Sequence, residues 1–268
     1  MRSRKIANFS VSNIGLGCMN LSFGYGPGPG AEYGIRLLNQ ALDTGYTFFD
    51  TAALYGFGEN EKLVGKALRS RRDEFVLASK CGMRRNSEGV REINGRPEAI
   101  KETCEQSLSR LGVDVIDLYY LHRCDNNVPI EESVGALSDL VKEGKIRYIG
   151  LSNETPWGVM KFLEHSKNKN VPRIMSIQNV YSLVNRVFDM ANSEASIREN
   201  CGLLAYSPLA GGRLSGKYIG NKSPKNARYT LWSSRFSRHH TERGERAIEA
   251  YVELAKECNL PSATFANA

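Results

Sequence analysis

The chain has 268 residues, enough for one large α/β domain or two small ones. Its hydrophobic content of 41% and charged content of 24% are ordinary for a soluble globular protein. The net charge of +7 comes from bases interleaved with acids, as in RSRRDE and KEGKIR, with no aromatic-rich basic cluster. This reads as solvated helix faces with some bias toward phosphorylated ligands, and against a nucleic-acid partner.

In chain order, the basic opening MRSRKIANFSVSN is not followed by an apolar signal segment with a small-residue cleavage site. No later run approaches the roughly 18 apolar residues of a membrane helix. A cytoplasmic location and no membrane partner are therefore expected. Short apolar runs then alternate with amphipathic segments. The runs are Asn13–Met19, Thr47–Asp50, Phe75–Lys80, Val115–His122, Ile146–Asn153, Ile174–Val180 and Gly202–Leu209. Most lack the polar alternation of a half-wet strand, so they are predicted to be buried on both faces, as parallel strands are.

The GENEKLVGKALRS segment places Leu63, Val64, Ala67 and Leu68 on one helical stripe. In PEAIKETCEQSLSRLG, Ile100, Cys104, Leu108 and Leu111 keep a helical spacing. Pro97 suits a first helical turn and Gly112 follows the end. A further helix is predicted over roughly Thr241–Asn259. Repeated strand–helix units imply a parallel sheet, either open and doubly wound or closed as a barrel. The glycine-rich GYGPGPG (Gly24–Gly30) does not fit GxGxxG, and its prolines spoil a pyrophosphate-binding helix start. It is predicted to be a surface loop, and the lack of a Rossmann fingerprint favours the (β/α)8 barrel.

Polar residues recur at the C-terminal ends of these runs: Asp50, Lys80, His122, Ser152 with Asn153, Gln178, and Tyr206 with Ser207. Each alone is explained by a strand end or helix cap. Six strands with the same habit point instead to the catalytic face of a barrel, where such ends converge. A buried carboxylate is costly without a positive partner, and Lys80, on the run after Asp50, is the expected one. Lys80 beside Tyr55 is then expected to favour the tyrosinate and lower the phenol pKa from its usual value near 10. Tyr55 becomes a plausible proton donor, with His122 orienting or sharing the proton. The bland alternative is a buried Asp–Lys pair with a surface tyrosine.

The six cysteines (Cys18, Cys81, Cys104, Cys124, Cys201, Cys258) contain no CxxC pair, and the four histidines, including the His239–His240 doublet, show no metal spacing. The cysteines read as buried or idle thiols and the His239–His240 doublet as surface, with no metal site expected.

The ordered set FDTAALYG, VLASK, YYLHRCD, GLSN, SIQN and AYSPLAGG followed by GKY resembles the aldo-keto reductases across essentially the whole chain. QNVYSLVNR and YSPLAGGRLSGKY are most similar to the bacterial reductases and the related potassium-channel β subunits. The resemblance implies one TIM-barrel domain over residues 1–268, without a Rossmann domain, that reduces aldehydes or ketones with NADPH, with NADH possible. By that similarity Tyr55 would be the general acid, tuned by Lys80 and Asp50, with His122 positioning the carbonyl oxygen. Ser152, Asn153 and Gln178 would hold the nicotinamide carboxamide, Tyr206 would stack on its ring, and Cys18 and Met19 would border it. Ser207, Leu209 and Gly211 would line the pyrophosphate, with Lys217 and Arg228 toward the adenosine side.

Only seven strands are readable. PSATFANA matches the start of the family's next helical segment, and no eighth strand follows it in these 268 residues. An incomplete barrel with open edges is therefore expected. Loss of two charge-assisted contacts to the adenosine 2′-phosphate would cost about 3–6 kcal/mol, or roughly 10²–10⁴-fold in affinity. The alternatives are a nucleotide-sensing regulatory subunit, a chain impaired by the missing strand, and, more remotely, a sugar-phosphate lyase. Substrate specificity would lie in loops: GYGPGPG and Gly220–Arg238, where Trp232 and Phe236 face a ligand or pack on the barrel. The oligomeric state is not encoded in any motif.

Overall fold

The computed structural model describes residues 1–22, 28–86, 88–168, 171–220, 222–232 and 241–268. Residues 24–27 of the GYGPGPG loop, Phe236 and the His239–His240 doublet lie outside the described residues. The chain divides into two compact units. One is Met1–Ile177 with Ala195–Gly202; the other is Gln178–Glu194 with Leu203–Ala268.

The first unit opens with an antiparallel hairpin of β1 (Ser3–Ile6) and β2 (Phe9–Ser12). Then follow β3 (Leu16–Gly17), α1 (Ala31–Asp43), β4 (Phe48–Asp50), α2 (Glu59–Leu68) and β5 (Val76–Cys81). A second antiparallel hairpin, β6 (Met83–Arg85) with β7 (Arg91–Ile93), precedes α3 (Pro97–Leu111). The series continues with β8 (Ile116–Leu121), α4 (Ile130–Lys142), β9 (Ile146–Ser152), α5 (Pro156–Asn168) and β10 (Ile174–Val180). Every residue of β5 and β8 is buried, as continuous apolar runs without alternation require. Pairings β3–β4, β4–β5, β5–β8 and β8–β9 are all parallel.

The second unit holds the end of β10, then α6 (Val187–Ala191), the junction helix α7 (Ser193–Arg198), β11 (Gly202–Tyr206), α8 (Arg228–Leu231), α9 (Glu242–Glu257) and α10 (Ser262–Asn267). Thr241 caps α9, its side chain accepting from the Gly244 amide, which satisfies one of the helix's orphan donors. Ala210, Leu214, Ile248 and Val252 form this unit's core.

The main sheet has seven strands in the order β11-β10-β9-β8-β5-β4-β3, an incomplete (β/α)8 barrel in which strand order follows chain order. The first strand is shorter than predicted. Pairing with β4 involves only Leu16 and Gly17, and Met19 already opens a 3-10 turn. β11 likewise stops at Tyr206, because Ser207 adopts a left-handed φ of 57°.

One cross-strand fit fixes the interior. The Tyr120 hydroxyl on β8 meets Ser176 Oγ on β10 at 2.8 Å, so its ring must pass over β9 between them. Gly150 of β9 makes the room: a Cβ there would lie 2.4 Å from the Tyr120 ring. Gly150→Ala is expected to destabilise the fold by about 1–3 kcal/mol, the usual range for overpacking. Urea unfolding measures this; an unchanged midpoint would remove the packing argument.

Candidate active site

The site of the first unit starts with a short strand that ends on a carboxylate. Phe48 and Phe49 of β4 are buried, and Asp50 follows as its last residue. The parallel neighbour β5 brings Lys80 alongside, with only 1% of that residue exposed. Its ammonium donates to Asp50 Oδ1 at 2.5 Å, to the Thr51 carbonyl at 2.8 Å and to the Tyr55 hydroxyl at 3.2 Å. The same nitrogen lies 4.8 Å from the Tyr55 ring centroid. His122, just beyond β8, sets its ring edge-on to Tyr55 with centroids 5.8 Å apart. The four residues singled out in the sequence thus lie together, linked by hydrogen bonds and a ring contact.

Burial is the largest influence on the Lys80 pKa and lowers it, but the charges and hydrogen bonds of Asp50 and Tyr55 together outweigh it, and the group is raised above its ordinary value. Lys80 is a permanent cation at neutral pH. The Tyr55 phenol departs from the sequence expectation: burial raises its pKa, and the opposing pull of Lys80 does not reverse this. The hydroxyl therefore keeps its proton at neutral pH, with the Lys80 ammonium at hydrogen-bond distance. His122 is pushed down to about 3 by burial and by the charges of Lys80 and Arg123. A neutral imidazole carries one N–H and one lone pair, and the buried Nδ1 finds no partner among the described residues.

The turn after Tyr55 is left-handed at three successive residues, Gly56 (φ 58°), Phe57 (φ 53°) and Gly58 (φ 96°). Glycine adopts this geometry without a steric penalty. At Gly58 a Cβ would also lie 2.6 Å from the Arg110 side chain. The turn delivers two buried polar residues absent from the sequence reading. Asn60 accepts from Thr51 Oγ1 at 2.6 Å and donates to the Cys18 carbonyl at 2.8 Å and to Ser22 Oγ at 2.6 Å. Glu61 accepts from Ser79 Oγ at 2.6 Å and from Arg110 at 2.7 Å. These bonds fix the backbone on both sides of the Lys80 contacts. A signal existed: Asn60 lies three and four residues before Leu63 and Val64, on the apolar stripe of α2.

Around this centre, buried Cys18 donates its amide to the Asp50 carbonyl at 2.8 Å, and Met19, half-buried, follows it. Ser152 ends β9. Asn153, at a left-handed φ of 57°, donates its amide to the His122 carbonyl at 3.1 Å and to Ser152 Oγ at 3.0 Å.

The second unit carries the remaining sequence candidates. Gln178 lies in β10 and Tyr206 ends β11, its carbonyl accepting from the Tyr181 amide at 3.2 Å. Ser207, Ala210, Gly211 and Gly212 are all left-handed, half-buried Leu209 lies between them, and Lys217 folds back so that its Nζ is 3.5 Å from where a Gly212 Cβ would stand. A loop with its Cβ omitted beside an ammonium suits phosphate oxygens. Arg228 opens α8 and half-buried Trp232 caps its end.

Residues 13–268 match the family model described as the aldo/keto reductase family. A probable aldo-keto reductase from Glycine max is 36% identical over 96% of this chain and 73% of its own length. An aldo-keto reductase from Schizosaccharomyces pombe whose name carries NADP(+) is 35% identical over 95% of this chain and 74% of its own length. Among solved structures, a glycerol dehydrogenase from Gluconobacter oxydans superposes with a TM-score of 0.85 at 30% identity, covering 98% of this chain and 81% of that one.

The depressed His122 pKa has a signed consequence. The unfolded chain protonates this ring below about 6.5, whereas the folded chain does so only near 3. The contribution of His122 to stability is therefore complete above the unfolded value and declines as pH falls through that window. Ring resonances of His122 followed by NMR are expected to stay flat from neutral pH into the mild acid range; a midpoint at the ordinary histidine value would contradict the burial.

Proposed function

The chain belongs to the aldo/keto reductase family and is an NAD(P)H-dependent oxidoreductase, and from that premise we propose that it reduces aldehydes or ketones to alcohols with NADPH, with Tyr55 as the proton donor. The observation that carries the reading is the Lys80 ammonium bridging Asp50 at 2.5 Å and the Tyr55 hydroxyl at 3.2 Å.

NADPH, when bound, supplies the hydride, and the protein's task is orientation and proton delivery. A carbonyl oxygen gaining negative charge needs donors already aimed at it. The protonated Tyr55 hydroxyl is one, and the neutral imidazole of His122 has a single N–H to offer as the second. As the phenol gives up its proton, Lys80 holds the tyrosinate by charge and hydrogen bond, and Asp50 keeps that ammonium charged in a dry site. His122 thus orients the carbonyl and does not exchange the proton itself, because protonating it requires a pH near 3.

By residue type alone, the proposed donors match the chemistry of the cofactor's two ends. Ser152, Asn153 and Gln178 suit the nicotinamide carboxamide, since amides offer both donor and acceptor, and the Tyr206 ring offers a stacking face for the nicotinamide. Cys18 and Met19 border that end. Ser207, Leu209 and Gly211, with Lys217 and Arg228, suit the phosphates as backbone and charge-assisted donors. The preference for NADPH over NADH rests on this basic pair and on the NADP(+) in the name of the Schizosaccharomyces pombe relative.

Titration of the purified protein with NADPH followed by a panel of aldehydes tests the activity directly. Tyr55→Phe is expected to leave NADPH affinity nearly intact while turnover falls roughly 10²–10⁴-fold, the usual scale for general acid–base catalysis. Wild-type turnover in that variant would exclude Tyr55 as the donor.

A further inference from the structure

The β6–β7 hairpin leaves the sheet directly after β5 and carries a charge imbalance. Arg84 is neutralised by Glu92 at 2.7 Å and Glu102 at 3.6 Å. Arg85 is not: its guanidinium carbon sits 3.4 Å from the centroid of the Phe57 ring, and it has no carboxylate partner among the described residues. Glu88, in the hairpin tip, forms no ion pair with it. In the antiparallel register Arg85 lies directly opposite Arg91, and both residues are exposed. Like charges in facing cross-strand positions are unfavourable for a hairpin, so Arg85 gains nothing from its cross-strand neighbour.

The chain ties that stacked pair closely to the residues around Lys80. Phe57 is two residues beyond Tyr55, in the left-handed turn. A third guanidinium, Arg123, follows His122, is exposed, and also lacks a carboxylate partner among the described residues. Gly82, where the hairpin starts, runs beside Arg123: the preceding residues are joined by the His122 amide donating to the Cys81 carbonyl at 2.9 Å, and a Cβ on Gly82 would lie 3.3 Å from the Arg123 carbonyl. Face-on stacking leaves the in-plane N–H groups of Arg85 open, the fork that matches a carboxylate or phosphate. By contrast, Arg72 and Arg147 in the cleft lined by Asp117 and Phe75 are consumed by Asp117 at 2.6 and 3.0 Å. Inside the pocket, Lys80 is already matched by Asp50.

We propose that Arg85, stacked on Phe57, and Arg123 form an anion-recognising rim, so that the preferred substrates are aldehydes or ketones bearing a carboxylate or phosphate group. The inference rests on the carbonyl reduction proposed above and names its substrate class. Exposed guanidinium groups also steer anions toward a site in a salt-dependent way.

Two matched pairs of aldehydes test it: para-carboxybenzaldehyde with its methyl ester, and phosphorylated with unphosphorylated glyceraldehyde. In at least one pair the anionic member is expected to show a kcat/KM about tenfold or more above the neutral one, carried mainly by KM and shrinking with added salt. Which pair responds identifies carboxylate or phosphate. Arg85→Gln is expected to cut that ratio roughly tenfold, the scale of one charge-assisted hydrogen bond. Equal kcat/KM within both pairs, or an unchanged ratio in Arg85→Gln, would overturn the rim. Neutral aldehydes report separately on the reduction itself. Should none be turned over, calorimetric titration of para-carboxybenzaldehyde into the wild type and Arg85→Gln still decides the matter: equal dissociation constants overturn it and weaker binding by the variant supports it.

Discussion

A single buried ammonium organises the first unit. Lys80 is almost wholly removed from water, and an unpaired charge in such a place costs several kcal/mol. It is tolerated because β4 ends one carboxylate short of its own turn, so that Asp50 and the Thr51 carbonyl both face the neighbouring strand. The third donor direction of the ammonium is then directed to the Tyr55 hydroxyl. The proposed proton transfer uses that geometry: the phenol is held protonated by burial, and the charge that will stabilise its anion is in place beforehand.

Such a pocket needs a rigid frame, and the start of α2 supplies it. Asn60 ties the end of β3 to the segment after β4, while Glu61 joins β5 through Ser79 to α3 through Arg110. Both are buried polar residues with full partners, the condition under which such groups specify a structure instead of weakening it. The left-handed turn Gly56–Gly58 allows the same short segment to present Tyr55 to Lys80 and begin the helix four residues later. Phe57 in that turn becomes the platform for Arg85, so the turn that follows Tyr55 also anchors the proposed rim.

Much of this was legible in the residues. The absence of polar alternation in VLASK and VIDLYYLH gave buried parallel strands, and the cost of an unpaired Asp50 pointed to Lys80. The sign of the Tyr55 shift was not legible, because it depends on burial against charge, and a sequence shows which charges are near but not how much water is gone. Asn60 and Glu61 were hidden in a helix read for its apolar stripe alone. The two hairpins, MRR with REI and SRKI with FSVS, are short, charged and largely exposed, and lack the continuous apolar signature used for the barrel strands. Gly150 takes its meaning only from the Tyr120 ring that crosses it, a register fact that requires three dimensions.

The most direct measurement of the central claim is the pH dependence of single-turnover carbonyl reduction in Lys80→Met, with the folded fraction checked by near-ultraviolet circular dichroism. Methionine keeps the unbranched shape of the side chain to its Cε and removes the charge. If the ammonium stabilises the tyrosinate, the rate falls by about two orders of magnitude or more, the lower end for loss of an oxyanion-stabilising donor, and the alkaline limb assigned to Tyr55 moves to higher pH. A folded variant with the wild-type rate and an unmoved limb would contradict the account.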